Sequence, residues 1–150
     1  MRIDFFDSSA DEFETVKAIR TCVFTNEQGA DAKGEFDQYD STSLFALLYD
    51  GNEPVGTARI APTAAGFKIG RIAILKKCRG KGFGAEIVKA VTEKAFEMGA
   101  DKVLVDAQNY AVPFYEKLDF KVIGTEIMDR GLAHIPMCMD KGEHYGKEEK

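Results

Sequence analysis

The densest run of chemistry-bearing residues is Arg79-Gly80-Lys81-Gly82-Phe83-Gly84, a basic, glycine-rich loop set between a strand-like stretch and a helix-like one. A helix N-terminus carries amides without intrahelical partners and about half a positive charge, so this arrangement suits a phosphate. Gly80, Gly82 and Gly84 let those amides turn inward with no Cβ in the way, while Arg79 and Lys81 add charge for a pyrophosphate or 3'-phosphate. Glycines at alternate positions of a helix start are costly unless something approaches closely, which argues against a plain solvated turn. Two other phosphate loops compete. A Walker A loop needs its lysine followed by Ser or Thr, and Lys81 is followed by Gly82. The dinucleotide fingerprint is met literally by Gly80, Gly82 and Ala85, with Asp106 at the end of the next strand, but it belongs after the first strand of a parallel run.

The elements that must position this loop follow from periodicity. Residues 3–6 read as a strand, and Ser9 with Glu12 has capping-box spacing before a helix carrying Phe13, Val16, Ile19 and Val23. Residues 25–43, acidic and holding Gly29 and Gly34, read as a long loop with room for a helical turn. Strands at 44–49 and 54–61 flank the hairpin signal Asp50-Gly51, and a third at 67–75 completes an antiparallel meander. After the loop, Ile87, Val88, Val91, Ala95 and Met98 share a helical face that Gly99 ends. A strand at 103–107, a short helix opened by Pro113, a strand at 121–128 and a last one at 134–139 follow. The charged residues 141–150 read as a fraying tail on a single domain spanning 1–150.

Composition narrows the partners. The formal net charge is −5, with Lys and Arg dispersed among Asp and Glu, so no basic stripe marks a nucleic-acid surface. No apolar run reaches membrane-spanning length and no signal segment opens the chain, which points to a soluble cytoplasmic protein. Cys22, Cys78 and Cys138 are odd in number and widely spaced, as in a reducing compartment. His134, Cys138 and His144 lack a compact second pair for a metal, and none is called for.

The loop also carries a resemblance. At Arg79, Gly82 and Gly84 the sequence resembles the R/Q-x-x-G-x-G/A signature of the GNAT superfamily of acyl-CoA N-acyltransferases, and the likeness extends through Gly70 to Ile74, Asn109, Phe114 to Leu118 and Phe120. Arg20, Val23-Phe24, Glu27-Gln28, the acidic stretch 35–40 and His134-Ile135 are similar to the ElaA-like branch. The resemblance implies an α/β fold with a mixed, largely antiparallel central sheet, helices on both faces and a splayed pair of central strands. It implies acetyl-CoA as cosubstrate and a small-molecule or peptide amine as acceptor, in a monomer or homodimer. The backbone of Ile72, Ala73 and Ile74 would pair with the pantetheine arm, Arg79, Gly80, Lys81, Gly82, Phe83 and Gly84 would hold the pyrophosphate, and Asn109 and Phe114 would touch the cofactor. Tyr115 would sit near sulfur, where a phenol suits protonation of the departing thiolate; a core aromatic is the plainer role for it.

Attack on a thioester needs a neutral amine, hence a base or an amine already deprotonated. Many family members place a carboxylate on the strand before the loop, where this chain has only Arg71 between Ile69 and Leu75. Glu27, His134 and Asp106 are the candidates that remain. Glu27, Glu35, Asp37 and Asp40 either attract a cationic amine or form a solvated acidic loop. Pro136 sits awkwardly in a strand that the family topology places between two others, so a bulge or unpaired position is expected there. A non-catalytic acyl-CoA sensor is the rival from another functional class.

Overall fold

The computed structural model describes residues 1–30 and 37–142. Its elements are β1 (Arg2–Asp7), α1 (Phe13–Arg20), β2 (Leu44–Asp50), β3 (Glu53–Thr63), β4 (Gly66–Ile74), α2 (Phe83–Glu97), β5 (Lys102–Gln108), α3 (Val112–Lys117), β6 (Lys121–Val122), β7 (Ile127–Asp129) and β8 (Leu132–Asp140). The strands form a mixed sheet in the order β1-β2-β3-β4-β5-β8-β6, with β7 also on β8. Among the described residues the β4–β5 pair is parallel and the other pairs are antiparallel.

Strand β2 shows why both faces carry helices. Successive side chains of a strand point to opposite faces. Phe45 and Leu47 join Val16, Ile19 and Val23 from the first helix, while Ala46 and Leu48 join Ile87, Val88 and Val91 of α2. Burial on two sides explains the unbroken apolar run that the sequence shows there.

The splay between β4 and β5 has a local cause. From Thr57 to Arg59, β3 advances two residues while β4 passes from Ala73 to Gly70, three residues. The extra residue makes a bulge, and Arg71 adopts φ 48° there. Ladder pairing of β4 with β5 is confined to Phe67–Ile69 against Val103–Val105, and beyond it the strands part.

Several expectations are revised. Ser9 does not cap α1: its amide and hydroxyl both donate to the Asp7 carboxylate, and Glu12 stands at the N-cap without a side-chain bond. The first helix does not stop at the predicted loop, because Thr21–Glu27 continue it in π form. The helical turn within that loop is 3-10, Gln38–Ser41, capped by Asp37 with Asp40 reaching back to the Asp37 amide. Glu35 and the tail beyond residue 142, including His144, lie outside the described residues.

The predicted strand 121–128 is broken into β6 and β7, and Pro136 is the reason. In an extended strand a residue's N–H and C=O face the same edge. The Pro136 carbonyl accepts from the Ile123 amide, 3.0 Å, so its donor-less nitrogen faces the gap between β6 and β7. Gly124 fills that gap against the proline ring, where an added Cβ would stand 2.8 Å from Pro136 Cγ. Pro136 stays paired with Asp106 of β5 and lies outside the β6 and β7 ladders on its other edge, with no bulge in the β5–β8 pairing.

Candidate active site

The glycine loop ends on α2 as the sequence implies. Gly82 is the N-cap at φ 84° and Gly80 lies at φ 80°, a region where an L side chain strains the backbone. The first bond of the helix runs from the Glu86 amide to the Gly82 carbonyl, 3.1 Å, so the amides of residues 83–85 have no partner within the helix. A Cβ built at Gly80 or Gly82 meets nothing within 4 Å, so the concavity is open. At Gly84 it would stand 3.7 Å from Phe114 Cζ, which sets the loop against α3.

Arg79 is oriented from two sides. Its Nε donates to the Ile74 carbonyl, 3.0 Å, and its guanidinium makes a two-point pair with Glu27, Nη2 to Oε2 at 2.8 Å and Nη1 to Oε1. The Arg79 hydrogen bond holds the Glu27 carboxyl below the usual range. Glu27 therefore stands at the loop rather than on the cleft wall, and it is a weakened base.

A cleft of about 1060 Å³ opens where β4 and β5 part. Period 2 explains its lining. Val103, Val105 and Ala107 of β5 enter the core against α2, which leaves Leu104, Asp106 and Gln108 on the other face. Arg59, Ala61 and Thr63 of β3, Lys68 of β4 and His134 of β8 share that face. Ile72, Phe114 and Tyr115 line it too, while Ala73 packs into the core beside α1. Tyr115 is 7% exposed, edge-on to Phe114 and Phe120, and burial pushes its phenol well above the ordinary value. His134 Nδ1 lies 2.9 Å from the Leu132 carbonyl. A neutral ring that donates through Nδ1 leaves Nε2 able to accept a proton.

The acidic stretch is not a free negative field. Arg20, with a side chain 0% exposed, meets Asp40 at 2.9 Å; Arg59 meets Asp40 at 3.2 Å and Asp37 at 2.6 Å; Arg71 meets Asp37 at 3.3 Å. Desolvation works to raise the Asp37 carboxyl, yet the Arg59 bond and the charges of Arg59 and Arg71 hold it below the usual range. The chain of pairs ties the left-handed Arg71 of β4 to α1 through the 3-10 turn and β3.

Of the residues singled out from sequence, Asp37, Ile72, Asp106, Phe114, Tyr115 and His134 meet on the cleft. Arg79 to Gly84 do not line it and approach it only through Gly84 against Phe114, and Asn109 is turned to Glu126, 2.9 Å, at the surface. Sequence reasoning missed Arg59, Lys68 and the bridge in which Gln108 donates to Gln28, 3.0 Å, across the cleft wall. A signal existed for Arg59, which interrupts the apolar stretch Ala58-Arg59-Ile60-Ala61.

Comparison with known proteins gives a consistent result. A family described as "Acetyltransferase (GNAT) domain" matches residues 11–141. The uncharacterized N-acetyltransferase YjcF of Bacillus subtilis is 37% identical over 123 residues, 81% of this chain and 88% of that protein. Escherichia coli ElaA superposes with a TM-score of 0.83 at 22% identity, covering 93% of this chain and 99% of the other. A B. subtilis acetyltransferase in complex with CoA superposes with a TM-score of 0.70 at 22% identity, covering 93% and 97%. At these identities the two structural likenesses speak to the fold.

Proposed function

The chain belongs to the GNAT acetyltransferase family, and we propose that it moves an acetyl group from acetyl-CoA to a primary amine by direct attack in a ternary complex. The observation that carries this reading is continuity. The open glycine cradle on α2 packs against Phe114, and the next residue, Tyr115, lines the cleft between the parted strands. Amides of residues 80–84 hold the pyrophosphate, and the backbone of Ile72 to Ile74, beyond the β4–β5 ladder, takes the pantetheine arm. Glu27 serves as the positioning partner of Arg79.

In the chemical step the acceptor nitrogen attacks the thioester carbonyl, forming the C–N bond. His134, directly or through a water, takes the proton that this nitrogen sheds. The tetrahedral intermediate collapses with cleavage of C–S, and the sulfur receives the Tyr115 proton. A buried phenol is a reluctant acid, but a thiolate forming in the same poorly solvated place is an equally unstable base, so burial shifts both partners in the same direction. As products leave, His134 gives its proton to solvent and the Tyr115 phenolate is reprotonated from solvent.

Tyr115→Phe tests the acid. The expected result is a fall in kcat of about 10²- to 10⁴-fold with coenzyme A affinity unchanged. An unchanged kcat would remove Tyr115 from the mechanism, and tight binding with no turnover in the wild type would favour the sensor.

A further inference from the structure

The cleft's charges bear on which amine is accepted. We propose that the acceptor is an amino acid with an apolar side chain, its carboxylate held on the Arg59 side of the cleft and its hydrocarbon body against β7; this rests on the reading of the cleft as the acceptor site. Three observations support it.

Two of the three carboxylates that line the cleft among the described residues are already engaged. Asp37 lies between Arg59 and Arg71, and Asp106 pairs with Lys68. Asp129 lies exposed at the turn into β8, beside Arg130, which also lines the cleft. Among the described lining residues the four Arg and Lys thus outnumber the three Asp. A polycation would bring further ammonium groups to face this wall, without a carboxylate to receive each of them.

Arg59 has a donor to spare. Its side chain is 9% exposed, its Nη1 serves both Asp37 and Asp40, and its buried Nε has no acceptor among the described residues. A guanidinium offers five N–H donors in a fork matched to carboxylate, and a buried donor without an acceptor is costly. Arg59 lines the cleft, so a ligand carboxylate there lies against a guanidinium whose own partners leave one donor unmatched.

The far side of the same cleft is apolar. Ile123, Ile127, Met128 and Leu132 line it, and Ile127 and Met128 are 42% and 66% exposed. Exposed apolar groups at a cleft mouth fit the hydrocarbon part of a ligand. An α-amino acid joins these demands in one small molecule: anion, amine and apolar body.

The test measures amine-dependent thiol release from acetyl-CoA with leucine, methionine and phenylalanine, with their carboxamides, and with spermidine, beside calorimetric binding of coenzyme A. The expected result is kcat/KM at least tenfold higher for the free amino acids than for their amides, with spermidine lower still. Arg59→Lys, checked for folding by thermal melt, is expected to raise KM for the amino acid at least tenfold while leaving KM for acetyl-CoA unchanged. Amides used as well as acids, spermidine used best, or no panel member above the amine-free rate overturns the substrate class while coenzyme A binding still stands. Loss of coenzyme A binding in the wild type would instead overturn the acyltransferase reading on which the proposal rests.

Discussion

Replacing Gly82 with alanine changes a residue at φ 84° whose new Cβ meets nothing within 4 Å. In the unliganded protein the effect is therefore conformational. A left-handed non-glycine residue costs about 1–2 kcal/mol, partly offset by lower entropy of the unfolded chain, so about 1 kcal/mol is lost. For a chain of this size that lowers Tm by about 2–4 °C. Gly51 in the β2–β3 turn has φ 64° and equally empty surroundings, so Gly51→Ala carries the same penalty far from the loop. Binding separates the two. If the amides after Gly82 cradle a pyrophosphate, losing one charge-assisted hydrogen bond costs about 1.5–3 kcal/mol, or about 10- to 100-fold in Kd. Calorimetry with coenzyme A, beside thermal melts, reads both quantities. The expected outcome is equal destabilisation, with weakened affinity in Gly82→Ala alone. Equal melting losses with both variants binding within twofold of wild type would refute the assignment of this loop.

Other consequences are as direct. Glu27→Gln is expected to weaken coenzyme A binding severalfold through Arg79 while leaving kcat intact, whereas His134→Gln should lower kcat with coenzyme A affinity unchanged; the reverse pattern in steady-state kinetics and calorimetry would exchange their roles. Asp40→Ala removes the 2.9 Å partner of the buried Arg20 and the 3.2 Å partner of Arg59, and denaturant unfolding should show a loss of about 1–3 kcal/mol. Asp37 has a folded pKa below its ordinary 3.8, so its stabilising contribution is complete above that value and disappears as pH falls through the folded pKa. Below about pH 4 the wild type should therefore lose stability more steeply than Asp37→Asn, and parallel curves would contradict the Arg59 and Arg71 pairing.

Local chemistry was legible where one segment decides it. The glycine loop, the Asp50-Gly51 hairpin and the α2 face from Ile87 to Ala95 each depend on neighbours within a turn or a strand and stand where periodicity puts them, whereas Met98, expected on that face, is the C-cap and 42% exposed. The illegible parts depend on distant partners. Nothing near Asp37 reveals that Arg59 and Arg71 stand against it, so the acidic stretch reads equally as an attractive field or a solvated loop when Asp37 and Asp40 are one side of an ion-pair chain. Nothing in residues 121–128 shows that Pro136 across the ladder withholds a donor, so two short strands read as one. The π continuation through Glu27 has no local signature either. Ser9 was misread because Asp7, two residues earlier, competes for the same hydroxyl.

The most direct measurement is amine-dependent release of free thiol from acetyl-CoA by the purified protein, with the product identified by mass. Release should require the amine, yield an acceptor heavier by one acetyl group, and be lost in Tyr115→Phe. Release that proceeds at the same rate without any amine, or an acceptor left unmodified, would contradict acetyl transfer.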